Sequence, residues 1–270
     1  MYNKLYFNHV MKTGGRYFKE NILLPILPIL QKNNIKLIPD NYIENNKIGK
    51  HFGWISDIDD QTYVISILRD PVEVAVSLYT HPFVFDLNAQ PKPYKKDGLD
   101  KINFLNNYQT LEKSYNIQSK HFLYSENYTN NQIFLSMLTN TNLSDINTVI
   151  SRINRVNLLF KTKDLVNNSQ KIQDKILSDL GIEERISVSQ KDFKYFNLES
   201  KLLYEQLTDE EKNNILSLNE IDNLIYKKAN FLYFEDSDCY ICGAEGKYFD
   251  FVNAFAVSVC RKHLNMESSS

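Results

Sequence analysis

Glycine is scarce in this chain, with eight in 270 residues, and cysteine scarcer, with three. Tryptophan occurs once and proline seven times. Each shortage excludes something. Three cysteines, all between Cys239 and Cys260, cannot build the paired framework of a small secreted domain. No apolar run approaches the roughly 18 residues that cross a bilayer. The best stretch, Ile22–Leu30, is short and holds Pro25 and Pro28. Positive charge is not in excess either: the net charge of −2 argues against a generic nucleic-acid binder. No internal repeat and no signal-peptide pattern is present, which predicts a cytoplasmic protein, of bacterial or viral source, without membrane or nucleic-acid partners. What the chain does have is 43% hydrophobic and 13% aromatic residues, enough for a large buried core.

A chain so sparing with glycine tends to keep it where the backbone needs a positive φ or a close approach. Gly14 and Gly15 sit together in "NHVMKTGGRYF", Gly49 and Gly53 flank His51, and Gly243 and Gly246 follow Cys239 and Cys242. Gly181 ends a helical pattern and Gly98 lies in a loop.

Short β-branched runs alternate with helical periodicity. Strands are predicted over Leu5–Val10, Ile35–Ile38, Tyr63–Leu68, His121–Tyr124 and Val156–Phe160. Helices are predicted over Arg16–Leu30, Pro71–Tyr79 and Asp164–Leu180, with Gly181 as the stop signal. The segment from Leu207 to Ala229 opens with a capping box, Thr208 and Glu211, and sets Ile215, Leu218, Ile221 and Ile225 on one face. Alternating strand and helix predicts an α/β fold, a mostly parallel sheet flanked by helices, with ligands at the carboxyl ends of its strands. His81–Gly98 has three prolines and no period, and reads as a long loop or lid.

Two stretches carry chemistry. In "NHVMKTGGRYF" a strand runs through a Lys-Thr-Gly-Gly loop into a helix, an arrangement that aims backbone N–H groups and a helix dipole at an anion. The order is wrong for a nucleoside-triphosphate loop, in which the lysine follows the glycines; here Lys12 comes first. In "YVISILRDPVEVAVSLYTH" a strand delivers Arg69, and the helix opening at Pro71 carries Ser77 two turns in. An arginine fork and a hydroxyl at that spacing suit one phosphate, although Arg69 could instead pair with Asp70 or Glu73.

Together "HVMKTGGRY" and "LRDPVEVAVSLY" resemble the sulfotransferases that use 3′-phosphoadenosine-5′-phosphosulfate (PAPS), in particular the carbohydrate branch with its heparan- and chondroitin-type enzymes and microbial relatives. The resemblance runs from residue 1 to about 230, with "VNLLFKTKDLVNNSQKIQDKILSDLGI" similar to the late strand and helix of that family. It implies a P-loop-like sulfotransferase domain over residues 1–235. Lys12, Thr13, Gly14, Gly15 and Arg16 would hold the 5′-phosphosulfate, and Arg69 and Ser77 the 3′-phosphate. Lys12 would also be catalytic, placing a cation on the oxygen that gains charge as the S–O bond breaks. His51 in "GKHFGW" would be the base that takes the acceptor's proton. The acceptor would be a hydroxyl, on a carbohydrate before other classes. His9 matches a family histidine and reads as structural or as support behind the site residues, while His81 and His121 receive no role. Met11, Arg16, Tyr17 and Val74 depart from the family pattern, as does Lys163 or Asp164 where a glutamate is usual; none removes Lys12, Arg69 or Ser77. Two other readings stay open: a nucleotide-dependent phosphoryl transferase, which would need Mg²⁺, and an inactive nucleotide-binding interaction module organised by zinc.

Past Ala229 the chain changes character. Cys239-x2-Cys242 is followed after 17 residues by Cys260-x2-His263. Two x2 pairs of soft or borderline ligands predict a closed, tetrahedral, structural Zn²⁺ site. This small C-terminal zinc-binding appendix spans residues 236–266, before a Ser-rich tail at 267–270, and the resemblance does not account for it.

Overall fold

The structure, a computed structural model, describes residues 2–38, 43–44, 47–48, 53–80, 101–109, 115–124, 143, 145–187, 198–229 and 231–232. Its frame is a four-stranded, all-parallel sheet in the order β2-β1-β5-β6, from β1 (Lys4–Asn8), β2 (Lys36–Ile38), β5 (Thr62–Leu68) and β6 (Leu158–Lys161). A separate antiparallel hairpin joins β3 (Ile43–Glu44) and β4 (Lys47–Ile48). The α/β reading of the sequence holds. Strand β5 is buried along its whole length, as a near-continuous apolar run between two parallel neighbours should be.

The helices are α1 (Gly15–Phe18), α2 (Leu24–Lys32), α3 (Pro71–Tyr79), α4 (Lys101–Gln109), α5 (Ile117–Leu123), α6 (Ile146–Asn154), α7 (Ser169–Asp179), α8 (Leu198–Gln206), α9 (Asp209–Leu218) and α10 (Glu220–Lys228). The chain leaves β1 toward β2 on one side and leaves β5 toward β6 on the other. With right-handed crossovers this puts the two sets of helices on opposite faces. On the first face, Phe18 packs on Phe7 at 4.5 Å and on Phe160 at 5.7 Å, and Tyr63 donates to Asp179 of α7. On the second face, the Tyr6 hydroxyl donates to the Gly53 carbonyl, and α3, α4, α8 and α9 share a second core around Val76, Tyr79, Phe104, Leu203 and Ile215.

Several boundaries differ from expectation for identifiable reasons. The helix expected over Arg16–Leu30 forms, but a π-helical segment, Lys19–Leu23, separates α1 from α2. Pro25 has no N–H to donate and crowds the carbonyl one turn earlier, so the ladder widens just before it. The helix that ends at Gly181 does so through a Schellman closure: Gly181 has φ 74, and Ile182 N–H reaches back to Leu177 O at 2.8 Å. Its start is later than predicted, because a short 3₁₀ turn, Thr162–Asp164, intervenes. The Thr208–Glu211 capping box is formed, but the segment behind it is two helices that break at the buried Asn219. The strand predicted at His121–Tyr124 is wrong. Those residues belong to α5 and its end, because the helix is capped by Asp222, which lies too far along the chain for local periodicity to register. Among the described residues, no helix is long and apolar enough to cross a membrane.

Candidate anion site at the switch of strand order

Strands β1 and β5 are the neighbours from which the chain departs in opposite directions, and ligands of open α/β sheets collect at the carboxyl ends of such a pair. Both sequence motifs end there. At the end of β1 the backbone turns at once, Val10 N–H donating to Asn8 O at 3.0 Å, and the Thr13 hydroxyl donates to Val10 O at 2.7 Å. Lys12 has φ 62, a left-handed conformation that a lysine rarely adopts, and Gly14 has φ 85 as it caps α1. Gly15 is constrained differently. A methyl group built on it would fall inside the ring of His9, which is buried and stacked on Phe7 at 5.3 Å. His9 is therefore part of the packing that shapes the loop. Arg16 is at the surface, its Nε 2.9 Å from Glu20.

The second motif meets the first. Arg69 Nη1 donates to the Lys12 carbonyl at 3.2 Å, while its Nε donates to Glu73 at 2.7 Å. The pairing with Glu73 that the sequence left open is formed. It uses one edge of the guanidinium and leaves the Nη2 protons without an acceptor among the described residues. Asp70 is committed elsewhere, accepting from Val72 N and Glu73 N as the cap of α3, and burial raises its pKa. Ser77 is buried on α3, one turn beyond Glu73 on the same helix face, and its hydroxyl makes no hydrogen bond to a described residue.

Lys12 has no acidic partner among the described residues. Burial, and then the nearby Arg69 cation, lower its pKa from 10.5 to about 8. Lys12 and Arg69 are thus linked at the head of a helix through the Lys12 carbonyl, and among the described residues the carboxylates close to this pair, Glu73 and Asp70, lie on the Arg69 side. A lysine cation with no described carboxylate beside it, at the head of a helix, is a feature that suits an anion.

Two residues that the motifs did not single out hold this geometry, and a third, Asn8, lies beside it. Thr162, at the end of β6, donates its hydroxyl to Thr13 O at 2.8 Å and also contacts Leu68 O at 3.2 Å, which ties the glycine loop to the end of β5. Gln118 brackets the Arg69 backbone, accepting from its N–H and donating to its carbonyl, both at 2.9 Å. Asn8 is the last residue of β1 and fully buried, and neither polar atom of its amide has a hydrogen-bond partner among the described residues. Strand alternation puts it on the Tyr6 side of the sheet, in register with the buried Ser66. An asparagine that interrupts the apolar run "KLYFNHV" was the available signal for it. An unsatisfied buried amide costs about 1–3 kcal/mol, so Asn8→Leu should raise the melting temperature of the ligand-free protein by several degrees; a fall would show the amide to be satisfied in solution.

His51, His81, the loop His81–Gly98, and Cys239, Cys242, Cys260 and His263 lie outside the described residues. His121 is fully buried on α5. Among the described residues no group of three or more His, Cys, Asp or Glu side chains could hold a metal ion. No family model, no curated protein and no solved structure matches this chain.

Proposed function

We propose that this protein is a PAPS-dependent sulfotransferase that moves a sulfuryl group to an acceptor hydroxyl, with a carbohydrate as the first acceptor class to screen. The observation that carries the reading is Lys12, a half-buried cation with no described acidic partner, whose own carbonyl is gripped by Arg69 at the junction of β1 and β5. A nucleoside-triphosphate loop sets its lysine after the glycines; here the lysine precedes them and sits at the strand side of the loop. A donor bearing both a 5′-phosphosulfate and a 3′-phosphate suits two cationic loops on adjacent strands better than a single triphosphate does. The donor would supply an already activated sulfuryl group. The chain's residues would supply charge and position: Lys12 at the bridging oxygen, the N–H groups of Thr13, Gly14, Gly15 and Arg16 around the phosphosulfate, and Arg69 with Ser77 at the 3′-phosphate. His51 stays the candidate base on sequence grounds. The parallel order β2-β1-β5-β6, with a glycine loop after β1, supports a P-loop-like relationship.

Calorimetric titration with adenosine 3′,5′-bisphosphate tests this. Wild type should bind it without added metal and prefer it to ATP with or without Mg²⁺, and Arg69→Ala should bind at least tenfold more weakly, the scale of a lost charge-assisted phosphate contact. A preference for Mg²⁺-ATP would overturn the reading in favour of phosphoryl transfer.

For residues 236–266 we propose a structural zinc site on Cys239, Cys242, Cys260 and His263. The support is the donor set, three thiolates and an imidazole in two x2 pairs, which fills a tetrahedral ion and leaves no open position. Elemental analysis should find about one zinc per chain. Replacing Cys239 and Cys242 by serine should remove it, and a metal-free wild type would exclude the site.

A further inference from the structure

We infer that Gln118 is a positioning residue for the anion site, fixing Arg69 through its backbone and so setting the separation of the two cationic loops. The inference rests on the reading of Lys12 and Arg69 as an anion site. The ladder of β5 with β6 ends at the pair Leu68 and Lys161, so Arg69 is the first residue past the sheet. Its N–H and carbonyl have lost their strand neighbour and need partners in a part-buried setting. The amide of Gln118 supplies one acceptor and one donor at 2.9 Å each, as a neighbouring strand would.

Gln118 is itself immobilised. It is fully buried in the first turn of α5, and its backbone N–H donates to Asp222 Oδ2 at 3.0 Å, beside Ser119 N–H on Oδ1 at 2.7 Å. Asp222 sits at the start of α10, where Asn116 Oδ1 receives the N–H groups of Ile221 at 2.9 Å and Asp222 at 3.0 Å. Asn116 N–H in return donates to Asn219 Oδ1 at 2.8 Å. Each helix start is therefore capped by residues of the other. The chain of hydrogen bonds runs from the corner between α9 and α10, through α5, to the backbone of Arg69.

From there it reaches the anion loop. The Arg69 side chain donates to the Lys12 carbonyl, at the left-handed residue of the loop. If the Arg69 backbone relaxes, the guanidinium loses its hold on that carbonyl, and the Lys12 cation shifts with it. Gln118 touches no ligand in this scheme. Its effect on binding passes through Arg69, and this separates it from a residue that only helps the fold.

A double-mutant cycle reads that difference. Gln118→Met keeps the volume of the side chain and deletes both hydrogen bonds. With adenosine 3′,5′-bisphosphate, and with inorganic pyrophosphate as the simpler probe, Gln118→Met should bind about tenfold more weakly than wild type, the scale of one or two lost hydrogen bonds. In an Arg69→Ala background the same change should alter affinity less than about twofold. Equal losses in both backgrounds would show a structural role and overturn the inference. So would undiminished binding by Gln118→Met. Should Gln118→Met fail to fold, Gln118→Glu serves: ionised, it can only accept, and it opposes the Arg69 carbonyl; protonated, it matches glutamine as donor and acceptor. Its affinity relative to wild type should be low at pH 8 and recover toward pH 5; a ratio that does not change with pH overturns the inference. If wild type binds neither probe, the anion-site reading has failed and takes this inference with it; if wild type binds and the variants bind equally, only the inference has failed.

Discussion

Lys12→Met is expected to raise the melting temperature and abolish anion binding in one substitution. The two effects share a cause. A half-buried lysine with no described acidic partner opposes folding, and the same uncompensated charge would attract the proposed anion. Burial, then the proximity of Arg69, lower the Lys12 pKa from 10.5 to about 8. At ~1.4 kcal/mol per pH unit, that displacement corresponds to a destabilisation on the order of 3 kcal/mol. Methionine is unbranched, of similar length and apolar, so it can fill the same space without the charge. The sign follows from proton uptake. Below pH 8 both the folded and unfolded states hold the proton, and the full penalty is present. Between about 8 and 10.5 the unfolded chain binds more protons, so the stability of wild type rises with pH. The melting-temperature gap between Lys12→Met and wild type should therefore be widest at neutral pH and close toward pH 10. A variant that melts below wild type at pH 7 would show that Lys12 is compensated. Anion affinity of the wild type should fall as pH rises through about 8, as the free lysine loses its proton, whereas Lys12→Arg should keep its affinity across that range because arginine stays charged.

The sequence announced the parts of this site that use local rules. Strand–glycine–helix and strand–Arg-Asp-Pro–helix are read over a dozen residues, and the order of the sheet then brings Lys12 and Arg69 together. Gly181 and the Thr208–Glu211 box ended and began helices where a cap should. What stayed hidden depends on partners distant in sequence. Residues 117–123 form a helix because Asp222, 104 positions beyond Gln118, accepts from its first turn. A short apolar run such as "HFLY" carries no period that could have said so. The same distance hid the bracket of Gln118 on Arg69. Asn219 breaks the closing helix because it is bonded to Asn116 N and to the Tyr108 hydroxyl, and neither contact is visible in its own neighbourhood. Pairing across the fold, rather than propensity, decided each of these.

Gly15→Ala separates local from tertiary causes most sharply. Gly15 opens α1 with no positive φ, and by helix propensity alone alanine there should be better than glycine by about 1 kcal/mol. The fold predicts the opposite sign. The added methyl would occupy the ring of His9, which cannot swing away: it is buried, stacked on Phe7, and Phe7 is pinned in turn by Phe18 at 4.5 Å. Overpacking of this kind, with no exposed direction for relief, should cost about 3 kcal/mol or more and lower the melting temperature by roughly 10 °C. His9→Ala alone should also destabilise, by about 2–3 kcal/mol, because it leaves a cavity against Phe7 and the glycine backbone. In the double variant the new methyl would enter the space that the ring vacated, so the two losses should not add; the expected coupling is about 2 kcal/mol in favour of the pair. Urea denaturation of the four proteins measures it. Additive losses would mean that His9 and Gly15 act on the loop separately, and a stabilised Gly15→Ala would mean that helix propensity governs the turn. Coupling would explain the spacing in "HVMKTGG" as a steric fit: the histidine at the strand end requires a glycine six residues on, and that glycine starts the helix that follows the loop.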